Sequence, residues 1–145
     1  MRETQAESKE KKFPYVSYHK RFYPIIPVII EGRERTVVYA LVDSGATVSL
    51  FHTSIAEDIG IDLDDAEQVY LAGIGGYIRA YIKRQVKITI EELGSITIPI
   101  AFTEYITSDI AILGRQGFFE AYEITFREWE KKLMIRLRST QYSPT

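Results

Sequence analysis

Cysteine is missing from all 145 residues, and with it go disulfides, thiolate nucleophiles and zinc–cysteine sites. Histidine is almost missing too, since His19 and His52 stand alone and far apart. That supply is poor for a histidine metal cluster or a Ser-His-Asp triad. The expectation is a chain with no metal site and no cofactor. Neither charge dominates: the net charge is -2, without the basic excess of a nucleic-acid binder. No apolar run approaches the roughly 20 residues of a membrane-crossing helix. Met1 to Lys12 is charged and has no apolar centre, unlike a secretory signal. The expected location is the cytoplasm.

What the chain does have is apolar residues, 46% of the total, enough for one domain with a real core. Residues 1–12 read as a disordered polar tail, 13–138 as a single domain and 139–145 as a polar C-terminal tail. From Phe13 to Pro24 the chain interleaves aromatic and basic residues. Such a pattern can bind single-stranded nucleic acid. With this overall charge it reads instead as a strand or arm packing its rings on the core.

Ile25 to Glu31 and Arg35 to Val42 are rich in Ile and Val around Glu31-Gly32-Arg33-Glu34, a hairpin signal. Thr53 to Ile59 reads as a two-turn helix capped by Thr53 and ended by Gly60, with His52 a surface or capping residue. Glu67 to Ala72 and Tyr77 to Lys83 flank Gly73-Ile74-Gly75-Gly76, a hairpin with a mobile tip. Val86 to Glu91 and Ile96 to Phe102 form another hairpin, one face of it wet. Asp109 to Gly114 reads as a buried strand, with Asp109 a strand-end residue. Gln116 to Tyr122 reads as a short helix. A last hairpin runs from Ile124 to Leu137, and Trp129 in its turn is expected to pack. The inventory is mainly β.

One segment carries chemistry. In Ala40-Leu41-Val42-Asp43-Ser44-Gly45-Ala46-Thr47 an apolar strand delivers a single carboxylate into a turn of small residues. Gly45 lets backbone approach backbone, and Ala46 keeps the walls low. Such an Asp can do acid–base work in peptide hydrolysis if a second carboxylate stands beside it. The sequence has no second copy of the motif, so a partner Asp must come from another copy of the chain. Alone, Asp-Ser-Gly is also ordinary turn chemistry.

Three elements stand in order: the Asp43-Ser44-Gly45-Ala46 turn, the glycine tip at Gly73, Ile74, Gly75 and Gly76, and Ile112-Leu113-Gly114. This order resembles that of retropepsin-like, single-lobed aspartic proteases, prokaryotic type, over about residues 25 to 137. There the same elements are the catalytic D-[ST]-G-A turn, the flap and a hydrophobic-hydrophobic-Gly element. The resemblance implies a retropepsin-like acid protease β-barrel, with a flap hairpin and one or two short helices, active as a homodimer. It implies that two Asp43 carboxylates lie about 3 Å apart around a shared water and hold one proton between them. The ionised member takes a proton from the water, and the protonated member donates to the peptide carbonyl. Ser44 would tie the two loops together across the dimer, with Ala46 and Thr47 completing the turn. Gly45 would bond substrate backbone, Ile112, Leu113 and Gly114 would pack beneath Asp43, and the flap would close over an extended peptide.

Two departures accompany the resemblance. Retroviral members usually place an acidic residue just after the turn, paired with the Arg of the G-R element. Here Thr47 occupies that place, so Arg115 lacks the acidic partner. The stretch before the first strand is also longer, so dimerisation through the termini does not carry over. Two functions stand from this sequence. One is an aspartic endopeptidase. The other is a non-catalytic peptide-binding or dimerisation module with the same fold.

Overall fold

The computed structural model describes residues 9–73 and 75–138. The strands fall into three sheets. In the smallest, β2 (Val16–Tyr18) and β3 (Arg21–Tyr23) form a hairpin. Its turn residues His19 and Lys20 both have positive φ, 51° and 69°. That is the twist a two-residue hairpin turn requires. It is reached here without the Asn-Gly pair that would have announced it.

The central sheet has seven strands. They are β4 (Ile25–Glu31), β5 (Arg35–Val42), β6 (Ser49–His52), β7 (Glu67–Gly73), β8 (Gly76–Ile90), β9 (Gly94–Thr103) and β10 (Ala111–Leu113). Their order is β4-β5-β10-β6-β9-β8-β7, with an additional pairing of β4 with β8. The β5–β10 and β6–β9 pairs are parallel, so the topology is mixed.

The expected β-barrel is corrected: the central sheet is not closed into a barrel. β10 meets β6 at one register position, Ile112 opposite Leu50. The β4–β8 contact runs only from Ile29–Thr89 to Glu31–Lys87. β7 ends the order with β8 as its neighbour. Seams this short do not carry the continuous staggered ladder of a closed barrel. They arise because β10 is three residues long and because β8 shifts register between Lys83 and Val86. What reads as two strands around residues 84 and 85 is one bent strand, serving β7 and β9 first and then β9 and β4.

β1 (Glu10–Pro14) pairs with β12 (Lys132–Leu137), which pairs with β11 (Tyr122–Arg127). The strand therefore begins at Glu10, inside the stretch read as a disordered tail. Residues 1–8 and 139–145 lie outside the described residues, and so do most of the expected N-terminal tail and the whole expected C-terminal tail. Phe13, Tyr15, Leu133 and Ile135 join this sheet to the main core. Tyr15 donates to Glu128 Oε1 at 3.1 Å, and burial together with that carboxylate raises its hydroxyl pKa. Lys131 and Tyr15 hold the Glu128 carboxyl below its usual range. Trp129, expected to pack, is 78% exposed instead, because the hairpin turn lifts it clear of the core.

The helix α1 (Thr53–Ile59) forms where expected and buries Ala56 and Ile59. Its cap is His52 rather than Thr53: the Ser54 N–H donates to His52 Nδ1 at 3.0 Å. Gly60, at φ 77°, ends the helix. The second expected helix is irregular. Arg115–Phe119 makes a wide turn broken at Gln116 and Gly117 before the chain enters β11. Gly117 has φ 82°, and a Cβ there would lie 2.6 Å from Ile98, so this glycine admits the turn against β9.

Candidate active site

Asp43 follows the last residue of β5 and is half-buried, while Ser44, Gly45 and Thr47 are exposed. Apolar alternation along β5 sends Val38, Ala40 and Val42 into the core, which fixes where the strand ends and the turn begins. The turn closes on itself. The Ala46 N–H donates to the Asp43 carbonyl at 3.2 Å, and the Gly45 N–H donates to Asp43 Oδ1 at 2.8 Å. A Cβ on Gly45 would sit 3.2 Å from that same Oδ1, so the small residue keeps the carboxylate uncrowded.

The turn is also stitched to the segment after β10. Leu113 pairs with Val42 in the parallel ladder, and the Asp43 N–H donates to the Leu113 carbonyl at 3.0 Å. The Arg115 N–H donates to Ala46 O at 2.8 Å, and the Gln116 N–H to Thr47 O at 2.9 Å. Gly114 is wedged between them: a Cβ there would meet Val48 O at 2.6 Å and Ala46 O at 2.8 Å. Any side chain at this position would push the two segments apart. The Arg115 guanidinium reaches Thr47 Oγ1 at 3.4 Å. The partner that Arg115 finds at this place is thus a neutral hydroxyl.

Sequence reasoning missed Ser49. It is fully buried at the start of β6, and its Oγ accepts the Gly114 N–H at 3.0 Å. That bond satisfies a donor which the tight packing around Gly114 seals from water. The available signal was a lone small polar residue inside Val48-Ser49-Leu50-Phe51.

The glycine-tipped hairpin is placed differently. Gly73 pairs with Gly76 at its end, and Ile74 lies outside the described residues. A Cβ added at Gly75 or Gly76 would meet nothing within 4 Å, so both glycines border open space. The base of the hairpin does reach the turn's neighbours. Val69 and Leu71 pack on a small cluster of Val48, Ala80, Ile82 and Ala101. Val48 is the residue that follows Thr47, so hairpin and turn share a footing. Lys83 pairs with Asp65 at 2.6 Å, holding that carboxyl below its usual range, and Arg84 pairs with Glu67. Both pairs pin β8 to the chain entering β7. They are solvent-exposed and orient more than they stabilise.

Beside the turn lies an apolar pocket. Leu41 and Ile112 line it, two residues before Asp43 and Gly114 respectively. Ile25, Ile110 and the Tyr18, His19 and Tyr23 side chains of the β2–β3 hairpin are also among its walls. Among the described residues no three His, Cys, Asp or Glu side chains gather as a metal site, and no helix is long and apolar enough to cross a membrane.

The model of the aspartyl protease family matches residues 26–116, more than half of the chain. The chain belongs to the aspartyl protease family. The matched aspartyl protease segment spans the Asp43 turn, the β7–β8 hairpin and Gly114, and leaves β1 to β3 and β11 to β12 outside it. The EIAV protease complexed with the inhibitor HBY-793 has a similar fold, with a TM-score of 0.54. The two are 22% identical, over 69% of this chain and 88% of that one. At that identity the likeness carries the fold alone. No curated protein matches the chain.

Proposed function

We propose that the chain is an aspartic endopeptidase of the single-lobed, prokaryotic type. It works as a homodimer that joins Asp43 of two copies into one catalytic pair. The observation that carries this reading is the Asp43 turn, where a half-buried carboxylate is anchored through its own backbone to Leu113 and screened by no side chain at Gly45. A carboxylate held this way is oriented in advance, which is what a positioned acid–base group needs. Its partner is the same group of a second copy, because the turn occurs once in the sequence.

Two carboxylates sharing a site hold one proton between them. The ionised one takes a proton from a water as that water adds to the peptide carbonyl. The other gives its proton to the carbonyl oxygen; as the tetrahedral diol collapses, the first carboxyl passes the water's proton to the leaving nitrogen and the second recovers its own, releasing acid and amine. The β7–β8 hairpin closes over an extended substrate, its exposed glycine tip free to move while Val69 and Leu71 hold its base. The pocket at Leu41 and Ile112 takes an apolar side chain next to the scissile bond.

The test is mass spectrometry of a diverse peptide mixture incubated with the protein over about pH 3 to 7, where a carboxylate pair titrates. Cleavage by the parent and none by Asp43→Asn supports the reading. Tight peptide binding with no cleavage at any pH would replace it with a non-catalytic peptide-binding module.

A further inference from the structure

The outer face of the β4–β5 hairpin is apolar where a solvent-facing sheet should be polar. The rungs Ile25–Leu41, Pro27–Tyr39 and Ile29–Val37 all present apolar residues on this side. Val37 is 56% exposed and Tyr39 50%. The next rung, Glu31–Arg35, is charged and ends the strip. The inner face explains none of this, since Val28, Ile30, Val38 and Ala40 fill the core from the opposite side.

The strip has a direction. Its first rung, Ile25 and Leu41, is also part of the pocket beside the Asp43 turn. From there it runs to Val37 over about 13 Å of strand, the length of roughly four extended residues. β4 covers one side of β5 along the strip, and β10 covers the other side only at Ala40 to Val42. An occupant lying across the face is held by the side chains of Leu41, Tyr39 and Val37.

We propose that this strip is an accessory docking track for substrate, taking an extended apolar stretch of unfolded polypeptide whose neighbouring segment enters the pocket. The proposal rests on the peptidase reading for the pocket's role. The occupant is polypeptide substrate because the strip is continuous with the pocket and carries no charge before Glu31–Arg35. A second copy is a poorer fit. Val37 lies six residues from Asp43, about 20 Å along β5, and so is far from where the proposed pair of Asp43 turns would meet. Recognition by apolar side-chain contact is tolerant of sequence. The enzyme should accordingly prefer long, unfolded, apolar substrates over short peptides.

The experiment compares two fluorescein-labelled probes by anisotropy, a soluble-ended 8-residue Val/Ile/Phe peptide and its 18-residue apolar extension. Asp43→Asn protein is used so that neither probe is cut. Adding Val37→Ser and Tyr39→Ser should weaken the long probe about tenfold and leave the short one unchanged, the loss expected for two half-exposed apolar side chains. Val37→Lys with Tyr39→Lys, checked by its melting curve, gives the same readout should the serine pair disturb the strand. Equal affinity of the long probe for both proteins overturns the track. So does conversion of a dimer to a monomer by these substitutions in sedimentation equilibrium, which would make the strip an interface between copies. Because binding is read without catalysis, a parent that cuts nothing but shows the long-probe difference refutes the peptidase and keeps the track. A parent that cuts while the difference is absent does the reverse.

Discussion

Two glycine-bearing segments of the molecule, the Gly114 bend and the end of the β7–β8 hairpin, are built in opposite ways. At Gly114 the backbone is pressed between Val48 and Ala46, and hydrogen bonds from Asp43, Gly114, Arg115 and Gln116 tie the turn to its neighbour. At Gly75 and Gly76 a side chain would meet nothing within 4 Å. Gly114 is required by close approach, Gly76 by its positive φ of 119°, and Gly75 by neither. Under the proposed function the clamped turn would hold one carboxylate still and the open hairpin end would admit a peptide. Val69 and Leu71 keep the hairpin's base on the cluster that carries Val48.

Substitutions sharpen that contrast. Gly114→Ala should be the most damaging, costing about 3 kcal/mol or more, because the new Cβ meets backbone on two sides and nothing flexible can yield. Thermal or denaturant unfolding measures it. Ser49→Ala leaves the Gly114 N–H without a partner in a sealed place and should cost about 1–3 kcal/mol by the same assay. Gly75→Ala should change stability by less than about 0.5 kcal/mol, since its Cβ would point into open space. If Gly75→Ala and Gly114→Ala destabilise equally, the contrast between a clamped turn and a free tip is wrong.

Away from the site, Tyr122 gives an alkaline test. Burial pushes its hydroxyl up to about 12, and that oxygen has no partner among the described residues. The unfolded chain ionises near the ordinary value of 10, the folded one about two units higher. Stability should therefore be intact below pH 10 and fall by about 2–3 kcal/mol as pH rises from 10 to 12. Tyr122→Phe should flatten this limb and leave neutral stability equal or higher, because it removes an unpaired buried polar group. The smallest effect is expected at Glu128. Its carboxyl is held below the usual range, so its link to Tyr15 and Lys131 is present at neutral pH and lost as pH falls through the lowered value. Glu128→Gln should remove that acid dependence from the melting curve.

Much of the fold was legible because alternation and glycine punctuation mark strands and turns locally. The β4–β5 hairpin, the β7–β8 hairpin, α1 and the β11–β12 hairpin lie within a few residues of where periodicity puts them. Closure was not legible, because it depends on the length of seams between distant strands. β10 shortens to three residues, and β8 runs through residues that read as a break. The Asp43 turn stood out because a carboxylate ending an apolar strand is conspicuous. Ser49 did not, because its partner is a backbone N–H 65 residues away. The β2–β3 hairpin that walls the pocket was hidden for another reason: His19 and Lys20 are unusual residues for positive φ. Trp129 was misjudged because an indole usually finds cover.

The central claim is that Asp43 acts as a pair drawn from two copies. Mixing active protein with increasing amounts of Asp43→Asn protein, allowing the subunits to exchange, and measuring peptide cleavage tests it directly. Mixed dimers hold one carboxylate and should be inactive, so with the variant in about ninefold excess the activity per parent chain should fall to about a tenth. Activity per parent chain that stays constant at every ratio would mean that one copy suffices, and the shared pair would be contradicted.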